Sequence, residues 1–516
     1  MLNRVITFYI KLFFPFFILA VLFGIIFAAQ LVGLFQELIP AHIARSLHIS
    51  LMLYGFVPLA MSVLPFALFE KDGIDSKRSA QFLELYFITW GSFLVFMVVA
   101  LLLGNLRDLP FYDYPYELNF LLAFSGLFYF LAIMAAIKEY EQKPLWVKVS
   151  LAVVVIAPFA LVLLMNPQYG QVEQMHFGPH GDNTLGMSFA LFVIIYLAIK
   201  LESKIKLQPR YNILWLIPLL FYISSVVYRT FVGSLSYEAE WFFQYLTLLF
   251  IPMLYVWIKD AKLEFSSSYI LLIAIAGYVF VDIEGNILFI PEIRSLFHRN
   301  DLVVAHSHVA VVFGMFFLSL SIVKNYFSLS KSAIYTLTLS MIAMVIILSI
   351  NGFAQAGIIE FSTLISWNFR LIFGIFFILP LFGYYVVSTK ITKVSLLGKY
   401  HFLGFLSDGL GGLALLLFGS YLYNLLGETF AGSYQYVVFG FVFSVGLIHL
   451  IAFFSQNLQK SLAIITVIVR VVTASLFFSL FKSGDLGYIA LIIALYDLMF
   501  ASIYFIIKDK NAFVFS

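Results

Sequence analysis

Stretches of roughly 20 apolar residues, the length a helix needs to cross a hydrocarbon core, recur along this chain with short polar breaks. Sixteen spans are predicted, at about 12–35, 47–69, 81–104, 117–137, 147–165, 180–200, 211–232, 241–258, 268–290, 303–323, 333–352, 366–388, 402–427, 434–455, 461–481 and 485–507. The expected fold is therefore an all-α polytopic membrane bundle. No internal repeat or low-complexity segment is visible. A basic break from Lys390 to Lys399 separates twelve spans from a last four, so the chain is divided into a core, 1–395, and an extension, 396–516.

Composition agrees with this pattern. Of 516 residues, 63% are hydrophobic and only 11% charged, too few polar groups to clothe a water-soluble surface. The partner this implies is membrane lipid. With 30 basic and 27 acidic residues there is no basic field for nucleic acid. The absence of cysteine excludes disulfides, thiolate metal sites and iron–sulfur clusters on this chain, leaving histidine and oxygen ligands. Arg4 and Lys11 precede an apolar run longer than a signal-peptide core, which reads as a retained first span.

Loop charges set an orientation, because basic residues are kept on the cytoplasmic side. With the N-terminus inside, 22 of the 30 basic residues fall inside. Arg45, Arg107, Arg229, Arg294, Arg299 and Lys482 fall at or near the outer side, and Arg370 and Arg470 lie within spans. Both termini are expected in the cytoplasm, in a bacterial-type cytoplasmic membrane.

Four of the nine histidines, His48, His180, His306 and His308, sit at or near the outward starts of spans two, six and ten. They share one depth, as residues of a common site must. His306 and His308 are two positions apart, so their side chains diverge by about 200° around a helix. They are badly placed to hold one ion jointly, and well placed to hold a planar cofactor each, on opposite sides of the helix. The alternative is two helix-start histidines bonded to headgroups or loop carbonyls.

Two strings carry a resemblance. RSLHISLMLYGF in span two resembles the Arg-x-x-His entry to the second helix of nitric oxide reductases and cbb3-type oxidases, and RNDLVVAHSHVAVVFGMFFL resembles the tenth helix of the same haem-copper oxidase superfamily. The likeness covers spans one to twelve. It implies two haems, b-type by analogy: His48 and His308 as axial ligands of a low-spin haem, and His306 as proximal ligand of a high-spin haem open to O2 or NO. It also implies electrons from a cytochrome c or cytochrome c-type subunit on the outer face. Arg45, three residues before His48, is then a candidate partner for a haem propionate, or else an interfacial anchor.

The family places a second metal, copper or non-haem iron, opposite the high-spin haem, held by one histidine of the sixth helix and an adjacent pair in the seventh. His180 stands at the first position; Tyr228 and Arg229 stand where the pair should be, and Thr184 where nitric oxide reductases carry a glutamate. A guanidinium donates only and repels cations. Substitute metal ligands are His176, Asp182, Tyr228 and Glu238; the alternative is that Arg229 supplies the missing charge and holds a substrate anion, a propionate or a carboxylate such as Asp182.

Arg470 and Asp497 fall near mid-membrane, and Asp408 and Glu284 somewhat closer to an end, where a charge demands a partner. An Arg470–Asp497 pair shared with Asp408 is the expected structural glue of the last four spans. NLRDLPFYDYPYEL after span three reads as an outer loop that covers haem or docks a donor. Three functions follow: a terminal oxidase or nitric oxide reductase subunit, with His306, Tyr228 and Arg229 at the reacting centre; a non-catalytic di-haem electron-transfer, sensing or assembly protein; and a transporter without haem, in which His48, His306 and Arg229 line a substrate path.

Overall fold

Helices account for the regular structure of the computed structural model, which describes residues 1–36, 38–107, 112–140, 147, 181–203, 212–327, 329–387, 395–425, 429–455 and 458–508. Two compact units divide the chain, Met1–Val386 and Val387–Ser516. Among the described residues no strand occurs, and thirteen helices are long and apolar enough to cross a membrane. This is an all-α, multi-pass membrane bundle.

The first unit contains α1 (Leu2–Leu31), α2 (Ala41–Lys71), α3 (Lys77–Leu102), α4 (Tyr116–Ile137), α5 (Asp182–Glu202), α6 (Asn212–Phe231), α7 (Tyr237–Ala261), α8 (Phe265–Leu288), α9 (Asp301–Val323), α10 (Lys331–Gln355) and α11 (Thr363–Val387). The expected span at 147–165 lies outside the described residues apart from Val147. α1 starts ten residues before the apolar run at Leu12, because a helix continues past the hydrocarbon edge and hydropathy marks only its buried part. Large apolar side chains such as Phe96, Leu339 and Ile346 are exposed on these helices, as lipid-facing positions are.

Within α2 the helical ladder breaks at Gly55 (φ −78°, ψ −130°). A bilayer offers no water to a freed carbonyl, so the protein must supply donors. Trp90 Nε1 donates to Tyr54 O at 2.7 Å, Ser319 Oγ to Val57 O at 3.0 Å and Tyr129 Oη to Ser62 O at 2.8 Å. These bonds tie α2 to α3 and α9 near the break, and to α4 at a second interruption, at Val63. The break redirects the lower half of α2, while its upper half, Ala41–Tyr54, carries His48 against α1.

α9 is anchored at its start. Asn300 caps the helix through Oδ1 to Leu302 N (3.0 Å) and bonds Gly352 O of α10 through Nδ2 (3.0 Å). Asp301 accepts from Asn351 Nδ2 (2.6 Å) and from Trp367 Nε1 of α11 (3.2 Å), and its own N–H bonds Gln355 Oε1 (2.8 Å). A π-helical stretch, Val309–Phe316, follows His308 directly and packs on α8. A Cβ on Gly277 would come within 2.3 Å of Phe313 Cβ there. Phe316 stacks on Phe17 of α1, with centroids 4.0 Å apart and planes 7° apart.

The second unit holds α12, formed by Leu396–Gly404, a π-helical Phe405–Leu410 and Gly411–Leu425, then α13 (Ser433–Phe454), α14 (Gln459–Ser483) and α15 (Tyr488–Lys508). α13 packs along α12, and α14 pairs with α15.

Gly352 sets how closely α9 approaches α10, since a Cβ there would lie 2.5 Å from the Leu302 backbone nitrogen. Gly352→Ala should therefore destabilise the protein by about 3 kcal/mol, the upper end of the ~1–3 kcal/mol typical of overpacking, because backbone gives way less easily than a side chain. Denaturant unfolding of the purified protein measures it; a midpoint equal to wild type would contradict the close approach.

Candidate functional site

His48 and His308 face each other from α2 and α9, their ring centroids 6.3 Å apart and their planes inclined by 29°. Each ring is oriented by one backbone carbonyl. His48 Nδ1 lies 2.8 Å from Ala20 O of α1, and His308 Nδ1 lies 2.7 Å from Val304 O in its own helix. A carbonyl only accepts, so both Nδ1 atoms carry the proton and both Nε2 atoms keep a lone pair. Fixing the tautomer through Nδ1 is how metal-binding histidines are commonly prepared.

Metal–imidazole bonds run about 2.0–2.1 Å and an imidazole nitrogen sits about 1.1 Å from its ring centre, so two imidazoles on opposite sides of one iron have centres about 6.2–6.4 Å apart. The observed separation fits a bis-histidine iron. Both rings line one cavity with Val21, Gly24, Ile25, Met52, Val312, Met341, Met344 and Phe377. The cavity measures about 50 Å³, well below the ~300–1,000 Å³ usual for cofactor pockets, so the ring spacing and not the cavity size carries the fit. Gly24 is required where it stands, because a Cβ there would approach His48 Nδ1 to 2.7 Å.

The cavity contains one cation, Arg370 of α11, whose residue is 9% exposed. Its guanidinium sits over the Phe27 ring at 5.8 Å. Asp301, itself held by Asn351 and Trp367, attracts it electrostatically. Arg45 is exposed on α2 and is not part of the cavity lining.

His306 faces away from this cavity. Its Nδ1 pairs with Glu284 Oε2 of α8 at 3.2 Å, and its ring lies over Gly285, where a Cβ would come within 3.2 Å of Cε1. A carboxylate on Nδ1 again leaves Nε2 as the free lone pair and makes the imidazole a stronger donor to a metal. From Gly285 a polar chain continues. Gln244 Nε2 of α7 donates to Gly285 O (2.9 Å), and Gln244 Oε1 accepts from Gly181 N at the head of α5 (3.0 Å). One turn away on α7, Glu240 crowds Gly181 and forms an ion pair with Arg229 of α6.

Arg229 thus holds a carboxylate, and the carboxylate is Glu240. Tyr228 is exposed. His176 and His180 lie outside the described residues, as does the side chain of Asp182. Among the described residues, no group of three or more His, Asp or Glu side chains could hold a metal ion. Arg370, Glu240, Gln244 and Asp301 were not singled out by the sequence. Arg370 carried a signal, since it is one of two basic residues lying within spans. The other three sit near helix ends, where polar residues are ordinary.

No protein-family model matches this chain, and no curated protein matches it.

The Arg229–Glu240 pair is testable. Glu240 is 3% exposed and Arg229 about a third, so Arg229→Ala removes a charge partner of a buried carboxylate. The expected loss is about 2–3 kcal/mol, below the ~3–5 kcal/mol of a fully buried pair because water reaches the guanidinium. The double variant Arg229→Leu with Glu240→Leu should regain most of it. Unfolding midpoints of the three proteins decide; additive losses would show that the two side chains act independently.

Proposed function

We propose that this chain is a haem-binding redox protein of the membrane, with His48 and His308 as axial ligands of a low-spin haem. The observation that carries the reading is the ring pair itself: 6.3 Å between centroids, with both Nδ1 protons committed to carbonyls and both Nε2 lone pairs uncommitted, around one cavity. A haem held there by His48 and His308 would supply a one-electron couple for electron transfer. The protein's own residues do the rest. Ala20 O and Val304 O hold the two rings in orientation, Gly24 leaves room for His48, and the apolar lining excludes water. Arg370 brings a buried positive charge suited to a propionate.

The fuller reading, a respiratory terminal oxidase or nitric oxide reductase subunit, rests on the family resemblance. In it His306 holds a second, high-spin haem that reduces O2 or NO with electrons from a cytochrome c at the outer face of a bacterial cytoplasmic membrane, both termini inside. The His306–Glu284 pair supports this, since a carboxylate behind a proximal imidazole strengthens the ligand. The second reading is an electron-transfer, sensing or assembly protein without turnover. The Arg229–Glu240 pair favours it, because the residue at the family's metal position is already neutralised by a carboxylate instead of ligating a cation.

Purified protein should carry haem with a low-spin bis-imidazole spectrum. His48→Leu and His308→Leu should each abolish that signature, while His306→Leu leaves it intact. Arg370→Gln should keep the haem and lower its reduction potential, because a buried cation favours the reduced, less positive iron. Consumption of O2 or NO with a reduced donor separates the two readings. A colourless protein after expression with ample haem would overturn both and leave the transporter reading.

A further inference from the structure

The second unit encloses a polar chain that the haem reading does not use. Each of its four helices is apolar along most of its length, yet five titratable side chains meet at the centre. His401 and His449 are fully buried, Arg470 is 2% exposed, and Asp408 and Asp497 are each 8% exposed. Arg470 of α14 bridges the two carboxylates, through Nη1 to Asp497 Oδ1 of α15 at 2.6 Å and through Nη2 to Asp408 Oδ2 of α12 at 2.5 Å. This is the ionic glue expected of these spans.

The histidines extend it toward one membrane face. His401 Nε2 lies 2.8 Å from Gln459 O, at the start of α14, and its Nδ1 lies 2.9 Å from His449 Nδ1 of α13. Beyond, His449 Nε2 points to Asp408 Oδ2 at 3.8 Å and has no hydrogen-bond partner. The backbone is shaped around this chain. Asp408 sits in the π-helical turn of α12, a distortion common at functional sites. A Cβ on Gly404 would strike the His449 ring at 2.5 Å, and one on Gly446 the Gly409 backbone at 2.1 Å.

Two accountings of this cluster each come out one proton short. In hydrogen bonds, Gln459 O can only accept, so neutral His401 carries its proton on Nε2 and presents a lone pair at Nδ1. His449 must then donate from Nδ1, and if neutral it turns a bare Nε2 lone pair toward a carboxylate oxygen. Two acceptors then face each other in a buried site. In charge, Asp408 and Asp497 against Arg470 leave one net negative charge buried in the bilayer, which costs several kcal/mol. One added proton in the gap between His449 Nε2 and Asp408 cures both. The neighbouring Tyr400 hydroxyl is occupied with Thr466 Oγ1 (3.4 Å), Ser407 Oγ donates to Asp408 Oδ1 (2.8 Å), and Phe500 covers the guanidinium at 4.0 Å.

We infer that the second unit contains a proton-binding site, one exchangeable proton shared by His449 and Asp408, loaded and released through His401 at the membrane face that carries Gln459. Release is balanced at each atom. The Nδ1 proton of His449 passes to His401 Nδ1, and the resulting imidazolium gives its Nε2 proton to water as the Gln459 carbonyl lets go. His449 keeps the proton on Nε2, and the cluster is left one unit more negative; loading is the reverse. Such a site is what a step taking up or expelling protons across lipid needs.

Full-length protein in lipid bilayers, labelled with 15N-histidine, tests this by nitrogen NMR together with infrared spectra of the carboxyl groups. At neutral pH wild type should show one extra proton, as an imidazolium removed by His449→Gln or as a protonated carboxyl. Asp408→Asn should lose that signal, because the remaining carboxylate then balances Arg470 alone and the new amide can donate to His449 Nε2. His401→Gln should retain the signal and slow its exchange with deuterated water by roughly 10²-fold, as loss of a proton-transfer group does. Wild-type rings all neutral with both carboxylates ionised, whether or not sodium or another metal cation is bound, would overturn the site. Unchanged exchange in His401→Gln would overturn the route. The wild-type measurement stands even where a variant fails to fold.

Discussion

In a hydrocarbon layer no water repairs an unmade hydrogen bond, so each polar group inside this bundle is either matched by the protein or left poised for something else. That constraint turns hydrogen-bond bookkeeping into a functional argument. The Gly55 break in α2 shows the matched case, with Trp90 and Ser319 delivered to carbonyls beside it. His48 and His308 show the poised case. Each has one nitrogen satisfied by a carbonyl and the other left as a lone pair beside a cavity. A core histidine serving only as packing would be expected to use both of its nitrogens.

The same reasoning ranks the two sides of α9. On the His308 side the structure supplies a partner imidazole, a cavity and a buried cation, each from a different helix. On the His306 side it supplies a carboxylate and a glycine, and then a polar chain through Gln244 to the Arg229–Glu240 pair. Arg229 could not replace a metal as a ligand set, but with Glu240 it forms a neutral unit that needs no ion. The anchoring of α9 by Asn300 and Asp301 serves both sides at once, since it fixes the register in which two histidines of one helix face opposite ways.

Span positions were legible because length and hydropathy alone decide whether a helix can cross a bilayer. The start of α1 at Leu2 was not, since polar residues on a helix outside the hydrocarbon leave no hydropathy signal. The shared depth of His48, His306 and His308 and the divergence of His306 from His308 were periodicity arguments; the pairing of His48 with His308 in particular was implied by the family resemblance. The partners Glu240, Glu284 and Asp301 depend on helix rotation and packing, which a single sequence does not encode in any local pattern. Arg470 was legible for the opposite reason: a charge at mid-membrane has so few acceptable neighbours that Asp497 and Asp408 nearly exhausted them. His401 and His449 escaped because each lies near a helix end, where an imidazole has many ordinary partners.

Comparison of the ion clusters shows why charge count matters more than pair count in such a protein. Arg229 sets one cation against the buried Glu240 carboxylate, and the burial of Glu240 is tolerated on those terms. Arg470 has two carboxylates and cannot neutralise both, although it makes good geometry with each. Replacing Asp408 by an amide would have removed the excess charge and offered His449 Nε2 a donor. The second acid, next to a histidine whose outer nitrogen has no other partner, is therefore poorly explained as glue. It is well explained as half of a site whose other half is a proton that comes and goes.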